Sequence, residues 1–160
     1  MSNRLAFLAF AFAATVALAS IPSSVHADAP SKVAKVNWKD MTFKQKKDFM
    51  KKSVTPTMKP IFQAFDAKKF KTFECATCHG ADGSERKYKM PSNDTAALPG
   101  TPEAFQAKLK KEPDWPKWTE FMSKKVEPAM GKLLNVPIFD PRNPVEGAFG
   151  CAACHKIEKP

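Results

Sequence analysis

Cysteine occurs four times in this 160-residue chain, and all four fall in two copies of one pattern. The copies are Cys75-Ala76-Thr77-Cys78-His79 and Cys151-Ala152-Ala153-Cys154-His155. On a helical turn, residues three apart share a face, so the two sulfurs of each copy reach one object together, and the adjacent histidine is directed at it from the same side. C-x-x-C-H is the attachment signature of c-type haem, in which the thiols bond the porphyrin and the histidine ligates its iron. A local disulfide or a thioredoxin-like pair needs no histidine after the motif. Pairing the two motifs around zinc would have to bridge the 72 residues between Cys78 and Cys151, whereas a zinc ribbon spaces its pairs by about 15–20. The sequence therefore predicts two covalently attached haem c groups, held by Cys75, Cys78, Cys151 and Cys154, with His79 and His155 as iron ligands.

The amino-terminal segment bears on where this chemistry takes place. Asn3 and Arg4 lead into an apolar run from Leu5 to Ala19, and the stretch from Ile21 to Ala27 ends in small residues. A basic start, a short apolar run and a small-residue cleavage region describe a secretory signal peptide over residues 1–27. The working domain is then 28–160, periplasmic or otherwise exported, with no transmembrane span in its mature form. Its 133 residues have the capacity of one compact domain, which disfavours a coiled coil or a multidomain enzyme.

Histidine arithmetic narrows the iron coordination. Of the three histidines, His26 belongs to the signal peptide and the other two follow the motifs. None remains for the sixth position on either iron, so two-histidine ligation within the chain is excluded; methionine, lysine or an open position is left. Methionine is the common thioether partner. Sliding the sequence by 72 positions exposes a repeat: Phe49, Met50, Val54, Pro56 and Met58 coincide with Phe121, Met122, Val126, Pro128 and Met130. Such self-similarity implies one supersecondary unit used twice. Methionine also fills irregular core space readily, but the duplicated Pro-x-Met selects Met58 and Met130 as sixth ligands. Met50 and Met122 are expected to pack.

Each unit reads as a helix, a loop, and a haem-binding turn that opens a second short helix. Thr42 and Gln45 form a capping-box pattern, and Asp114 is placed to cap a helix that begins near Trp115-Pro116. Pro56 and Pro128 each remove a backbone hydrogen bond and should kink or restart their helix. Residues 80–101, rich in glycine, proline and polar side chains, read as a connecting loop. Thr101-Pro102-Glu103 starts a short helix running to Lys111. The predicted fold class is mostly α, a small dihaem domain of two helix–loop–C-x-x-C-H pseudo-repeats at about 42–81 and 114–157. Little or no β structure is expected, and the 13 phenylalanines are expected to pack around the porphyrins.

This unit resembles the haem unit of the tetrahaem cytochrome subunit of photosynthetic reaction centres, in which an axial methionine precedes its motif on a helix. The resemblance covers roughly residues 42–81 and 114–157, and implies His79/Met58 and His155/Met130 as the axial pairs of a dihaem c-type cytochrome. With two motifs rather than four, a much shorter chain and no cysteine near the signal peptide for lipid attachment, the likeness concerns unit architecture and not a photosynthetic partner. In mitochondrial-type cytochromes the methionine instead follows its motif, often beside proline. Met90-Pro91 has that look, but it lies only eleven residues after His79, too few to wrap a porphyrin. Met122 or Met130 is far enough along to reach back to the first haem, but this leaves the second motif with no downstream methionine. The upstream assignment serves both.

Charge is uneven along the chain. The whole sequence carries a formal +10, and residues 32–71 hold 12 lysines against Asp40, Asp48 and Asp66. Export argues against nucleic acid as a partner of this basic protein. A lysine-rich face near the first haem would instead steer an acidic redox protein into contact. The expected function is electron transfer between redox partners, without enzymatic activity. The alternatives are a haem enzyme or gas-binding protein with one open iron, peroxidase-like or binding nitrogen oxides, and a haem subunit of a larger redox complex.

Overall fold

The computed structural model describes residues 37–159. The signal-peptide expectation for 1–27, His26 with it, and the start of the lysine-rich segment lie outside those residues. The helices are α1 (Phe43–Phe49), α2 (Thr55–Phe65), α3 (Cys75–His79), α4 (Pro102–Lys111), α5 (Trp115–Phe121) and α6 (Glu127–Leu134). Among the described residues there is no strand, only isolated bridges between Leu98 and Ile157 and between Ile138 and Phe149. The protein is mostly α, as expected. No helix among the described residues is long and apolar enough to cross a membrane.

Local chemistry explains where α1 begins. The Thr42 hydroxyl accepts from the Gln45 amide at 3.3 Å, and the Gln45 side chain accepts from the Thr42 amide at 2.8 Å. This capping box satisfies two of the amides a helix start leaves orphaned. Thr101 caps α4 in the same way, accepting from the Ala104 amide at 3.2 Å. Asp114 occupies the cap position of α5 but makes no side-chain cap bond, because its backbone is already helical (φ −85°, ψ −14°). A capping side chain needs an extended backbone to reach the next turn.

The two prolines act through π-turns rather than sharp kinks. Met50–Val54 joins α1 to α2, with the Thr55 amide donating to the Met50 carbonyl; Met122–Val126 joins α5 to α6, with the Glu127 amide donating to the Met122 carbonyl. Pro56 and Pro128 lie in the first turn of α2 and α6, directly after the π-turns, so the N–H each lacks falls where the regular α pattern is already broken. The starts of the three segments lie 72 residues apart, Phe43 and Trp115, Met50 and Met122, Thr55 and Glu127, while α6 ends at Leu134, three residues short of the counterpart of Phe65.

The π-turn also keeps the apolar stripe in register. Phe49, Val54, Met58 and Phe62 are all buried, and the step from Phe49 to Val54 is five residues. In a regular α-helix that step would turn the side chain about 140° away from the stripe. The wider turn absorbs the extra residue, and Phe121, Val126, Met130 and Leu134 repeat the spacing, the first and last buried and the middle two half-buried. Phe62 joins the arms: its ring meets Phe70 at 4.9 Å, Phe73 at 5.0 Å and Phe121 at 5.1 Å. Phe65 stacks on Phe121 at 4.0 Å. Each such pair contributes about 0.5–1.5 kcal/mol beyond area burial.

Candidate functional site

The first motif forms α3, entered by the Glu74 amide donating to the Thr77 hydroxyl at 3.1 Å. It ends at Gly80, whose φ of +80° is open to glycine; a Cβ there would also meet an Asp94 oxygen at 2.7 Å. The second motif differs. Only Cys151–Ala153 is helical, as a single 3-10 turn, so the short helix expected there is not formed. Cys151 is exposed, whereas Cys75, Cys78 and Cys154 are half-buried; all four thiols are free.

Both motifs open on one cavity of about 900 Å³. Cys75, Cys78 and His79 enter it from α3, and Cys154 enters from the second motif. Met58 and Met130 also line it from α2 and α6, Met58 being 3 % exposed. Val54, Phe62, Phe73 and Leu134 supply apolar wall. Met50, expected only to pack, lines the cavity too, as does Met90, which sequence spacing had set aside. Met122 packs against the core. Cys151 and His155 are not on the cavity wall. The structure thus brings together Cys75, Cys78, His79, Cys154, Met58 and Met130, and leaves the other two site residues at the periphery.

The electrostatics of the site are those of un-ionised sulfur. Burial first, then the Cys154 and Cys75 thiols, push Cys78 up to about 12. Burial, Cys151 and Glu127 push Cys154 up to about 11. Redox-active and metal-binding thiols need the opposite shift, and among the described residues no three His, Cys, Asp or Glu side chains are grouped to hold a metal ion. Burial, reinforced by Arg86, lowers His79 despite the nearby Tyr88 backbone, which makes no hydrogen bond of ordinary geometry with the ring: the buried Nδ1 has no partner. Lys39, Lys46, Lys47, Lys51, Lys87 and Lys89 also line the cavity, against the single carboxylate of Glu74.

The loop after α3 braces the site from behind. Arg86 donates to the His79 carbonyl at 2.7 Å and to the Lys89 carbonyl at 2.7 Å, while its Nε pairs with Asp82 at 2.8 Å. The Tyr88 ring meets the His79 ring edge-on at 5.4 Å. Farther along, the Ala96 carbonyl lies 2.7 Å from Nδ1 of His155. By sequence this stretch reads as an ordinary connector. Its one legible signal was Ser92-x-x-Thr95, a pattern of hydroxyls that bond nearby backbone.

These residues fit c-type haem: two thiols three apart, the histidine that follows them and two thioethers share one largely apolar cavity. No protein-family model, curated protein or solved structure matches the chain.

Proposed function

We propose that this protein is a periplasmic dihaem c-type cytochrome that carries electrons between redox partners. Cys75, Cys78, Cys151 and Cys154 would hold two haem c groups by thioether bonds, and His79, His155, Met58 and Met130 would supply the ligands to the irons. When bound, the haem irons supply one-electron chemistry. The chain's own part is to attach and orient them, exclude water with the Phe62 and Phe73 walls, and tune the irons through histidine basicity and local charge. The observation that carries this reading is the shared cavity, into which residues of both motifs and both repeat-related methionines converge. The matching starts of the segments in the two helical arms support one haem-binding unit used twice. The lysines at the cavity fit an acidic redox partner docking near segment 32–71.

One observation favours the second reading, an enzyme or gas binder with one open iron. Burial raises the carboxyl of Glu127, and Glu127 in turn raises Cys151 and Cys154, so an acid–base side chain stands beside the second motif. Spectroscopy separates the two. The electron carrier shows the weak near-infrared band of methionine-bound ferric haem and, when reduced, resists carbon monoxide. Rapid carbon monoxide binding at one iron, with half of that band missing, selects the open site.

A further inference from the structure

The connector between α3 and α4 carries the most completely buried side chain among the described residues, Ser92, at 0 % exposure. A buried hydroxyl is kept only where it is hydrogen-bonded, and this one organises a turn. Its Oγ accepts from the amides of Asp94 at 3.3 Å and Thr95 at 3.1 Å. The single proton of the Thr95 hydroxyl is shared between the Ser92 carbonyl at 3.2 Å and the Cys154 carbonyl at 3.1 Å. One side of this turn is thus tied to the residue just before His155.

The contact continues along the chain. The Ala96 carbonyl receives Nδ1 of His155 at 2.7 Å. The Leu98 amide donates to the Lys156 carbonyl at 2.8 Å, and the Glu158 amide donates to the Leu98 carbonyl at 2.9 Å. A carbonyl can only accept, so Nδ1 carries the proton and the lone pair of Nε2 is left for a metal. An acceptor on the far nitrogen also fixes the ring and makes it a more basic ligand. His79 has no equivalent partner at Nδ1.

We propose that Thr95, held in place by Ser92, is the positioning residue of the second haem: it locks the connector to Cys154 so that the Ala96 carbonyl orients and strengthens His155. The inference rests on the haem reading of the second motif. A more basic histidine favours ferric iron, so loosening the turn raises the reduction potential of that haem and leaves the other unchanged.

The test uses haem-loaded protein. Thr95→Val keeps the side chain's shape and removes its hydroxyl, Thr95→Ser keeps the hydroxyl, and Thr95→Ala removes the hydroxyl without added bulk. Spectroelectrochemical titration should show one of two reduction waves moving to higher potential in Thr95→Val and Thr95→Ala, and that wave back at its wild-type potential in Thr95→Ser. Amide exchange at Leu98 and Glu158 should quicken in the first two variants only. Two unmoved waves, two waves moved equally, or no rescue by serine would overturn the assignment of Thr95 while leaving the haems in place. Protein lacking haem on Cys151 and Cys154 would instead overturn the proposed function, and this inference with it.

Discussion

Cys78 and Cys154, the second cysteines of the two motifs, line the same cavity. After burial itself, the Cys154 thiol is the neighbour that most raises Cys78, from 9.0 to about 12. The folded chain therefore keeps protons that the unfolded chain releases above pH 9. The stability this confers is fully present below that pH and is lost as pH rises towards about 12. In haem-free chain, the denaturant midpoint should fall as pH rises from 9.0 towards about 12, and Cys78→Ala should flatten the fall. Parallel curves for the two proteins would show that the thiol is not held un-ionised.

Met58 and Met130 can be tested without damaging the core. Leucine conserves most of their volume, so Met58→Leu and Met130→Leu should each cost less than about 1.5 kcal/mol. Each should also remove about half of the near-infrared band and open one iron to carbon monoxide. A full band in either variant would move the sixth ligand to Met50 or Met90, which line the same cavity.

Phe62 is the contact that joins the two helical arms, touching Phe70, Phe73 and Phe121. Phe62→Ala should destabilise the protein by about 3–5 kcal/mol, measured by chemical denaturation. Val145→Ala, at an exposed position, should stay within about 0.5 kcal/mol of wild type. Equal costs would contradict the packing described.

The lysines at the cavity predict a salt-sensitive reaction. Electron transfer to an acidic protein partner should slow by roughly tenfold or more as salt shortens the Debye length below about 10 Å. Lys51→Glu and Lys87→Glu should lower the rate at low salt and flatten its salt dependence. A rate indifferent to both would remove this face as the docking surface.

Some of this architecture was legible in the sequence, and the rest was not. The capping box at Thr42 and the start of α4 were readable because they depend on residues three or four apart. The repeat was readable because Phe, Met, Val, Pro and Met recur together. The five-residue step from Phe49 to Val54 and from Phe121 to Val126 was present in both copies, but a π-turn was needed to interpret it. The clamp of Thr95 and Ala96 on Cys154 and His155 spans 59 residues, so no local pattern announces it. Asp114 looked like a cap by residue type and was denied that role by its backbone. The Cys and His positions came from spacing alone, yet spacing did not foretell that Cys151 would be exposed while Cys154 faces the cavity.

The intact mass of the protein, made in cells competent for haem attachment, tests the central claim most directly. The account predicts a mature chain heavier by two haem groups, reduced to one when Cys75 and Cys78 are both replaced by serine, and likewise for Cys151 and Cys154. A mass equal to that of the polypeptide alone would contradict it.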